Sequence, residues 1–289
     1  MARRGLKLMA AGALAALLTA GCAPPGVDGD LVDDWPVVAE PQSWSPVAGE
    51  CHPAAYWGEN SLAKYTPVSC DESHSWETFH VGTLPAERVT LPPAGGVDRA
   101  AVFKECSAEA DKFLGGDWRD ARLSLQVLYP TKEAWSGGAR WFRCELANID
   151  IEFPVNRRES LRDSLAGSAP ALARGCYTRE GDNFEPIACD KPHNYEYVGT
   201  WFAEPSMEYA DLLRRASRIH RECRSLVAKF AKVPDDAAIN ARTGTQLLLP
   251  RRQEWDEGDR GVGCMLFLSR TLHRSMKDAG TKGLPINYR

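Results

Sequence analysis

The sequence predicts an α+β fold made twice over: two homologous domains, each an antiparallel sheet with one packed helix, stapled by disulfides. Three observations predict it. Two blocks of sequence recur at nearly the same offset. Eight of the nine cysteines fall into two sets of four in the same order. Within each set, a stripe of apolar residues at helical spacing is followed by a pair of alternating segments.

The first block is Val68-Ser69-Cys70-Asp71-Glu72-Ser73-His74-Ser75-Trp76-Glu77, with Val81-Gly82-Thr83 close behind. Its counterpart is Ile187-Ala188-Cys189-Asp190-Lys191-Pro192-His193-Asn194-Tyr195-Glu196, followed by Val198-Gly199-Thr200. Cysteine, aspartate, histidine and glutamate keep their spacing across an offset of 119 residues. The second pair runs from Tyr129-Pro130 to Trp135, Arg140 and Cys144, and from Leu249-Pro250 to Trp255, Arg260 and Cys264, at an offset of 120. Cys106 and Cys223 lie between the blocks, and Cys51 and Cys176 open each half. Internal similarity at one period is the signature of a repeated unit. The boundaries fall at 49–167 and 168–283, with a tail at 284–289.

The elements follow in chain order. Asp98 is placed to cap a helix. Val102, Cys106, Ala110 and Phe113 then lie on one helical face, and Gly115-Gly116 stops it. In the second half Ser206 is placed to cap a longer helix with the stripe Leu212, Ala216, Ile219, Cys223, Val227 and Phe230. Leu123–Tyr129 and Thr245–Leu249 read as strands. Phe142, Cys144 and Leu146 alternate with Trp141, Arg143 and Glu145, and Val262, Cys264, Leu266 and Leu268 repeat that alternation, which marks half-buried strands. Trp135 and Trp255 then sit in hairpin loops.

Eight cysteines permit 105 pairings. Three remain if bridges stay inside each half and match between halves. The favoured set is first with second and third with fourth, Cys51–Cys70, Cys106–Cys144, Cys176–Cys189 and Cys223–Cys264; the helix and strand cysteines both point inward, but the pattern does not show which partners meet.

Residues 1–21 read as a lipoprotein signal peptide. Arg3, Arg4 and Lys7 precede an apolar run from Leu8 to Ala20, which is 13 residues against the 20 or so that span a bilayer. Leu17-Leu18-Thr19-Ala20-Gly21-Cys22 resembles the bacterial lipobox, with Thr19 where an aliphatic residue is usual. That makes Cys22 the lipidation site, diacylated and first in the mature chain. Arg3-Arg4-Gly5-Leu6-Lys7 also faintly resembles a twin-arginine export signal. The expected location is the extracytoplasmic face of the cell membrane, an oxidising setting that suits disulfides. Residues 22–48, rich in Pro and Gly, read as a tether.

The chain carries a net charge of −4, which argues against a nucleic-acid partner. Signal cleavage leaves 32 Lys and Arg against 39 Asp and Glu, a net charge of −7, so acyl chains rather than basic residues must hold the membrane. The expected partners are the membrane, through the lipid, and an envelope or division protein.

Two recurring pairs attract a functional reading. His74 with Glu77 and His193 with Glu196 suggest a metal site or acid–base work. A His-x-x-Glu step aligns both groups in a helix, but these enter what reads as strands, where residues three apart face opposite sides. A structural role for the turn is therefore expected, with the metal or small-molecule site, or an extracytoplasmic hydrolase, as the alternative. Trp135 with Arg140 and Trp255 with Arg260 suit guanidinium stacking on indole, with ligand binding as the alternative. His52, His80, His220 and His273 have no counterpart in the other half and read as surface or packing residues. No Gly-x-Ser-x-Gly, His-Glu-x-x-His, P-loop or dinucleotide-binding pattern occurs. The chain is expected not to be an enzyme, with no catalytic residue, cofactor or metal.

The combination Cys70-Asp71-x-x-His74-x-x-Glu77 with Val81-Gly82, a helix cysteine and Trp135-x4-Arg140-x3-Cys144 resembles the septum-formation domain of actinobacterial membrane proteins and lipoproteins. Trp255-Asp256-Glu257-Gly258-Asp259-Arg260 fits its late element well, while Ala139 departs from the acid expected before Arg140. The resemblance covers both halves and implies an envelope protein associated with septation, without established catalysis.

Overall fold

The computed structural model describes residues 44–53, 65–150, 153–168, 170–181 and 183–287. The segment read as a signal, Cys22 and the expected tether up to residue 43 lie outside them. Among the described residues no helix is long and apolar enough to cross a membrane.

The first sheet is built from β1 (Glu50–His52), β2 (Trp76–Thr83), β3 (Leu123–Leu128), β4 (Trp141–Asp150) and β5 (Phe153–Pro154). Its order is β1-β2-β4-β3, with β5 paired to β4, and every pairing is antiparallel. Helix α1 (Val97–Leu114) lies on one face. Its buried residues include Val102, Cys106, Ala110 and Phe113, the stripe read from the sequence, joined by Phe103 and Leu114. Each large apolar side chain so buried contributes roughly 1.5–3 kcal/mol. The helix ends at Gly115, whose φ of 74° is the left-handed conformation that glycine adopts at least cost. The expected cap at Asp98 is corrected: Gly96 is the N-cap, and Asp98 sits in the first turn, ion-paired with Arg88 at 2.8 Å.

The second sheet holds β6 (Cys176–Glu180), β7 (Asn183–Ile187), β8 (His193–Phe202), β9 (Gly244–Leu248) and β10 (Gly261–Leu272), in the antiparallel order β7-β6-β8-β10-β9. Leaving aside β7, the strand order repeats that of the first sheet. The longer helix expected here is two helices, α3 (Tyr209–Arg214) and α4 (Ala216–Ala231), broken at Arg215. Glu208 rather than Ser206 precedes α3. No Gly or Pro marks the break. The Tyr209 ring at the start of α3 meets Trp255 at 5.9 Å and its hydroxyl donates to Pro250 O.

The disulfides are Cys51–Cys70, Cys106–Cys144, Cys176–Cys189 and Cys223–Cys264. The second and fourth tie α1 to β4 and α4 to β10. Each bridge restricts the unfolded chain, an effect of about 2–4 kcal/mol.

Several expectations need correction. Folded structure starts before residue 49: Pro46 is buried, and the Trp44 ring meets Trp141 at 5.5 Å. Leu284, assigned to a tail, is fully buried in the second core. The Trp135 and Trp255 connections are not open loops but short helices, α2 (Lys132–Ser136) and α5 (Arg252–Glu257). Strand β4 is not half-buried: Trp141, Arg143 and Glu145 are as buried as Phe142, Cys144 and Leu146.

The two halves meet along a seam. Arg119 pairs with Asp259 at 2.8 Å, Arg99 with Glu257, and the Gly95 N–H donates to Asp256 O. Gly258 has φ +114°, and a Cβ there would lie 2.6 Å from Ala100 Cα. The Gly-Asp of the second late element thus packs against the first half. Ala139, its counterpart, is buried within its own half.

Candidate functional site

The His–Glu pairs converge. His74 and Glu77 lie with Cys51, and His193 and Glu196 with Cys176, with ligand-type atoms within 4.8 Å in each group and every residue buried. The expectation that residues three apart face opposite sides is overturned. His74 precedes β2 and bridges Arg157, and the β8–β10 register breaks between Tyr195 and His193. The two-residue period holds only along a regular strand, and both histidines lie at its irregular start.

Each histidine Nδ1 faces its own turn, 2.9 Å from Glu72 O for His74 and 2.7 Å from Lys191 O for His193. That contact requires Nδ1–H. Nε2 has no hydrogen-bond partner at either position among the described residues. Glu77 accepts from the Ser160 hydroxyl at 2.6 Å and the Leu161 N–H at 2.7 Å. Glu196 accepts from the Ser275 hydroxyl and the Met276 N–H in the same way. Burial pushes the Glu196 carboxyl up, against the opposing pull of those two hydrogen bonds.

The sequence reading missed the caps. Ser160-Leu161-Arg162-Asp163 and Ser275-Met276-Lys277-Asp278 share the pattern Ser, apolar, basic, Asp at an offset of 115. The two aspartates adopt φ of 56° and 57°, and their N–H groups donate to Phe113 O and Phe230 O at the helix ends. That short recurring motif was the available signal. Glutamate, cap and helix end form one latch in each half.

A metal would find few donors. Cys51 and Cys176 are oxidised, and a thiolate, not a disulfide sulfur, ligates zinc. One imidazole and one carboxylate that already accepts two hydrogen bonds remain in each group.

The Trp–Arg elements are matched in detail. The guanidinium carbon of Arg140 sits 4.2 Å from the Trp135 ring, and that of Arg260 is 4.2 Å from Trp255. Arg140 donates to the carbonyls of Trp135 and Ala139, and Arg260 to those of Trp255 and Asp259. The indoles are 4% and 3% exposed. Each arginine thus satisfies open carbonyls at and just beyond the end of α2 or α5, and neither indole presents a surface to a ligand.

A polar cluster on the outer face of the first sheet escaped the sequence reading. Glu145 is fully buried. It accepts from Thr78 at 3.2 Å and Gln126 at 2.7 Å, and lies 3.2 Å from Arg143 Nε. His52, read as a surface or packing residue, is fully buried and lies 2.9 Å from the Thr78 hydroxyl. Burial first, then the neighbouring Arg143 charge, lower its pKa to about 3, so the ring is neutral. Burial raises Glu145, with Arg143 opposing. The guanidinium of Arg143 also lies 5.1 Å from the Tyr65 ring. His80, by contrast, is part-exposed beside Glu105, and His220 bonds Thr245 at 2.7 Å.

A family model described as septum formation matches residues 48–264, about three quarters of the chain. No curated protein and no solved structure matches.

Proposed function

The chain belongs to the septum-formation family, and from that premise we propose that it is a lipid-anchored, non-catalytic envelope protein. On this reading it consists of two copies of one domain and works as a binding or interaction module on the extracytoplasmic face. Cys22 carries the lipid, and residues 23–43 link it to the folded part. Membrane attachment brings the module to an envelope or division partner.

The observation that carries the non-catalytic part is the closure of both His–Glu pairs. A general base must reach the proton it abstracts, directly or through one water. Here each carboxylate is taken up by a serine hydroxyl and a backbone N–H, each imidazole is fully buried, and the same latch stands in both halves. Four disulfides support the extracytoplasmic part, since they persist in oxidising compartments. The shared strand order and matched latches support duplication.

One observation favours a second reading, a metal site at each pair: the partnerless Nε2 atoms of His74 and His193. Two donors per site weigh against it. Elemental analysis of the oxidised protein separates the two readings, because stoichiometric zinc would favour the second.

Anchoring is tested by fractionation. The native chain is expected in the membrane fraction and Cys22→Ala in the soluble envelope fraction. A variant that stays with the membrane refutes lipid attachment at Cys22.

A further inference from the structure

The outer faces of the two sheets differ at matched positions. In the first, Trp141, Arg143 and Glu145 fill the face. At the offset of 120 residues, the second has Gly261, Gly263 and Met265. Two large side chains are absent there, and Arg119 and Leu248 take only part of the space: a Cβ at Gly261 would lie 2.5 Å from Arg119 Nη1, and one at Gly263 would lie 3.1 Å from Leu248 Cβ. Gly261, Gly263 and Met265 line a cavity of about 390 Å³ on the seam between the halves. Small-molecule pockets run from roughly 300 to 1,000 Å³.

The wall of the cavity has two characters. Tyr177, Phe184 and Tyr197 give it aromatic surface, beside Met265. Arg119, Arg122, Arg174 and Arg251 give it positive charge, against Glu254 and Asp259. Arg119 is neutralised by Asp259, and Arg251 by Glu254. Arg122 and Arg174 make no ion pair among the described residues. Arg122 donates to Ala171 O, and Arg174 donates to Arg119 O with its guanidinium 5.6 Å from the Tyr197 ring. Two wall residues also hold buried polar atoms without hydrogen-bond partners, the Tyr177 hydroxyl and Arg122 Nε. Such groups are rare in folded proteins unless something else satisfies them.

We propose that this cavity binds a small amphipathic anion, a flat apolar body carrying a carboxylate or phosphate. The body lies against Tyr177, Phe184 and Tyr197, and the head group faces Arg122 and Arg174. Among the described residues the first half has no equivalent site, because Trp141 and Arg143 occupy the corresponding space. The proposal rests on the reading of the chain as a binding module but not on its anchoring, so membrane fractionation and ligand binding fail separately.

The test is isothermal calorimetry on the purified full chain with naphthoate, naphthyl phosphate, neutral naphthol and inorganic phosphate. One saturable site is expected for naphthoate or naphthyl phosphate, with naphthol and inorganic phosphate each weaker. Thr200→Trp, from the cavity wall, should abolish binding. Arg122→Gln should weaken the anion by about tenfold, the loss of one charge-assisted hydrogen bond, and leave naphthol unchanged. Circular dichroism and a non-reduced mass digest establish that the variants are folded. If Thr200→Trp does not fold, Arg122→Gln carries the test. Absence of saturable binding by both anions overturns the proposal. So does a folded Thr200→Trp that binds as well as the native chain, or naphthol binding as tightly as the anions with no effect of Arg122→Gln.

Discussion

Arg143→Met should be among the most damaging single substitutions outside the disulfides. Arg143 is 1% exposed, and its Nε lies 3.2 Å from the Glu145 carboxylate. At that separation two unit charges attract by about 5 kcal/mol with an effective dielectric of 20. Desolvation offsets much of this in the native protein. Removing one partner, however, leaves the other as an uncompensated buried charge, which costs about 3–5 kcal/mol. For a folded unit of this size that is a fall in Tm of roughly 6–20 °C.

The pH dependence of that loss has a definite sign. Burial already raises Glu145, with Arg143 as the main opposing influence. Methionine removes the opposition, so the folded-state pKa moves further above its unfolded value. The native state then binds the extra proton, and stability falls as pH rises through that window. The deficit relative to the native chain should be largest near pH 8 and shrink towards pH 5. The assay is denaturant unfolding at both pH values with disulfides intact, with Arg214→Met as a control. Arg214 pairs with Asp211 at the surface, where such pairs contribute about 0–1 kcal/mol. A deficit below about 1 kcal/mol, or one that grows as pH falls, refutes the reasoning.

Two further outcomes follow from the same structure. His52 is held neutral with its pKa lowered to about 3, so the unfolded chain binds a proton from about pH 6.5 downward that the native chain refuses. Stability should fall by about 2–3 kcal/mol between pH 7 and pH 4.5 on this account, and His52→Gln, which keeps a donor for Thr78, should lose less over that range in the same unfolding assay. Gly258→Ala places a side chain at φ +114° and 2.6 Å from Ala100 Cα; strain and overpacking together should cost about 2–4 kcal/mol, whereas an unchanged Tm would mean the halves do not meet along this seam.

Much of the fold was legible in the sequence because it is local or repeated. The stripe Val102-Cys106-Ala110-Phe113 gave a helix face, and the alternation through Cys144 and Cys264 gave strands whose inner residues face it. The cysteine order narrowed the bridges to three sets. Less of the site was legible. The period of a strand places Trp141, Arg143 and Glu145 on the face away from the helix, but it does not say what covers that face. The cover comes from Trp44 and Tyr65, far away in the chain.

The sequence by itself determined the matched order of the cysteines, the inward direction of the helix and strand cysteines, and the recurring His–Glu and Trp–Arg spacings, since periodicity and spacing are properties of the chain alone. Only the tertiary structure decided that each histidine and glutamate converge, because a break in strand register redirects His193 and His74 stands before its strand, bridged to Arg157. It also decided that a serine and a backbone N–H close each carboxylate. Tertiary packing decided as well that one sheet's outer face is filled while the other encloses a cavity, because filling depends on which distant side chains arrive there.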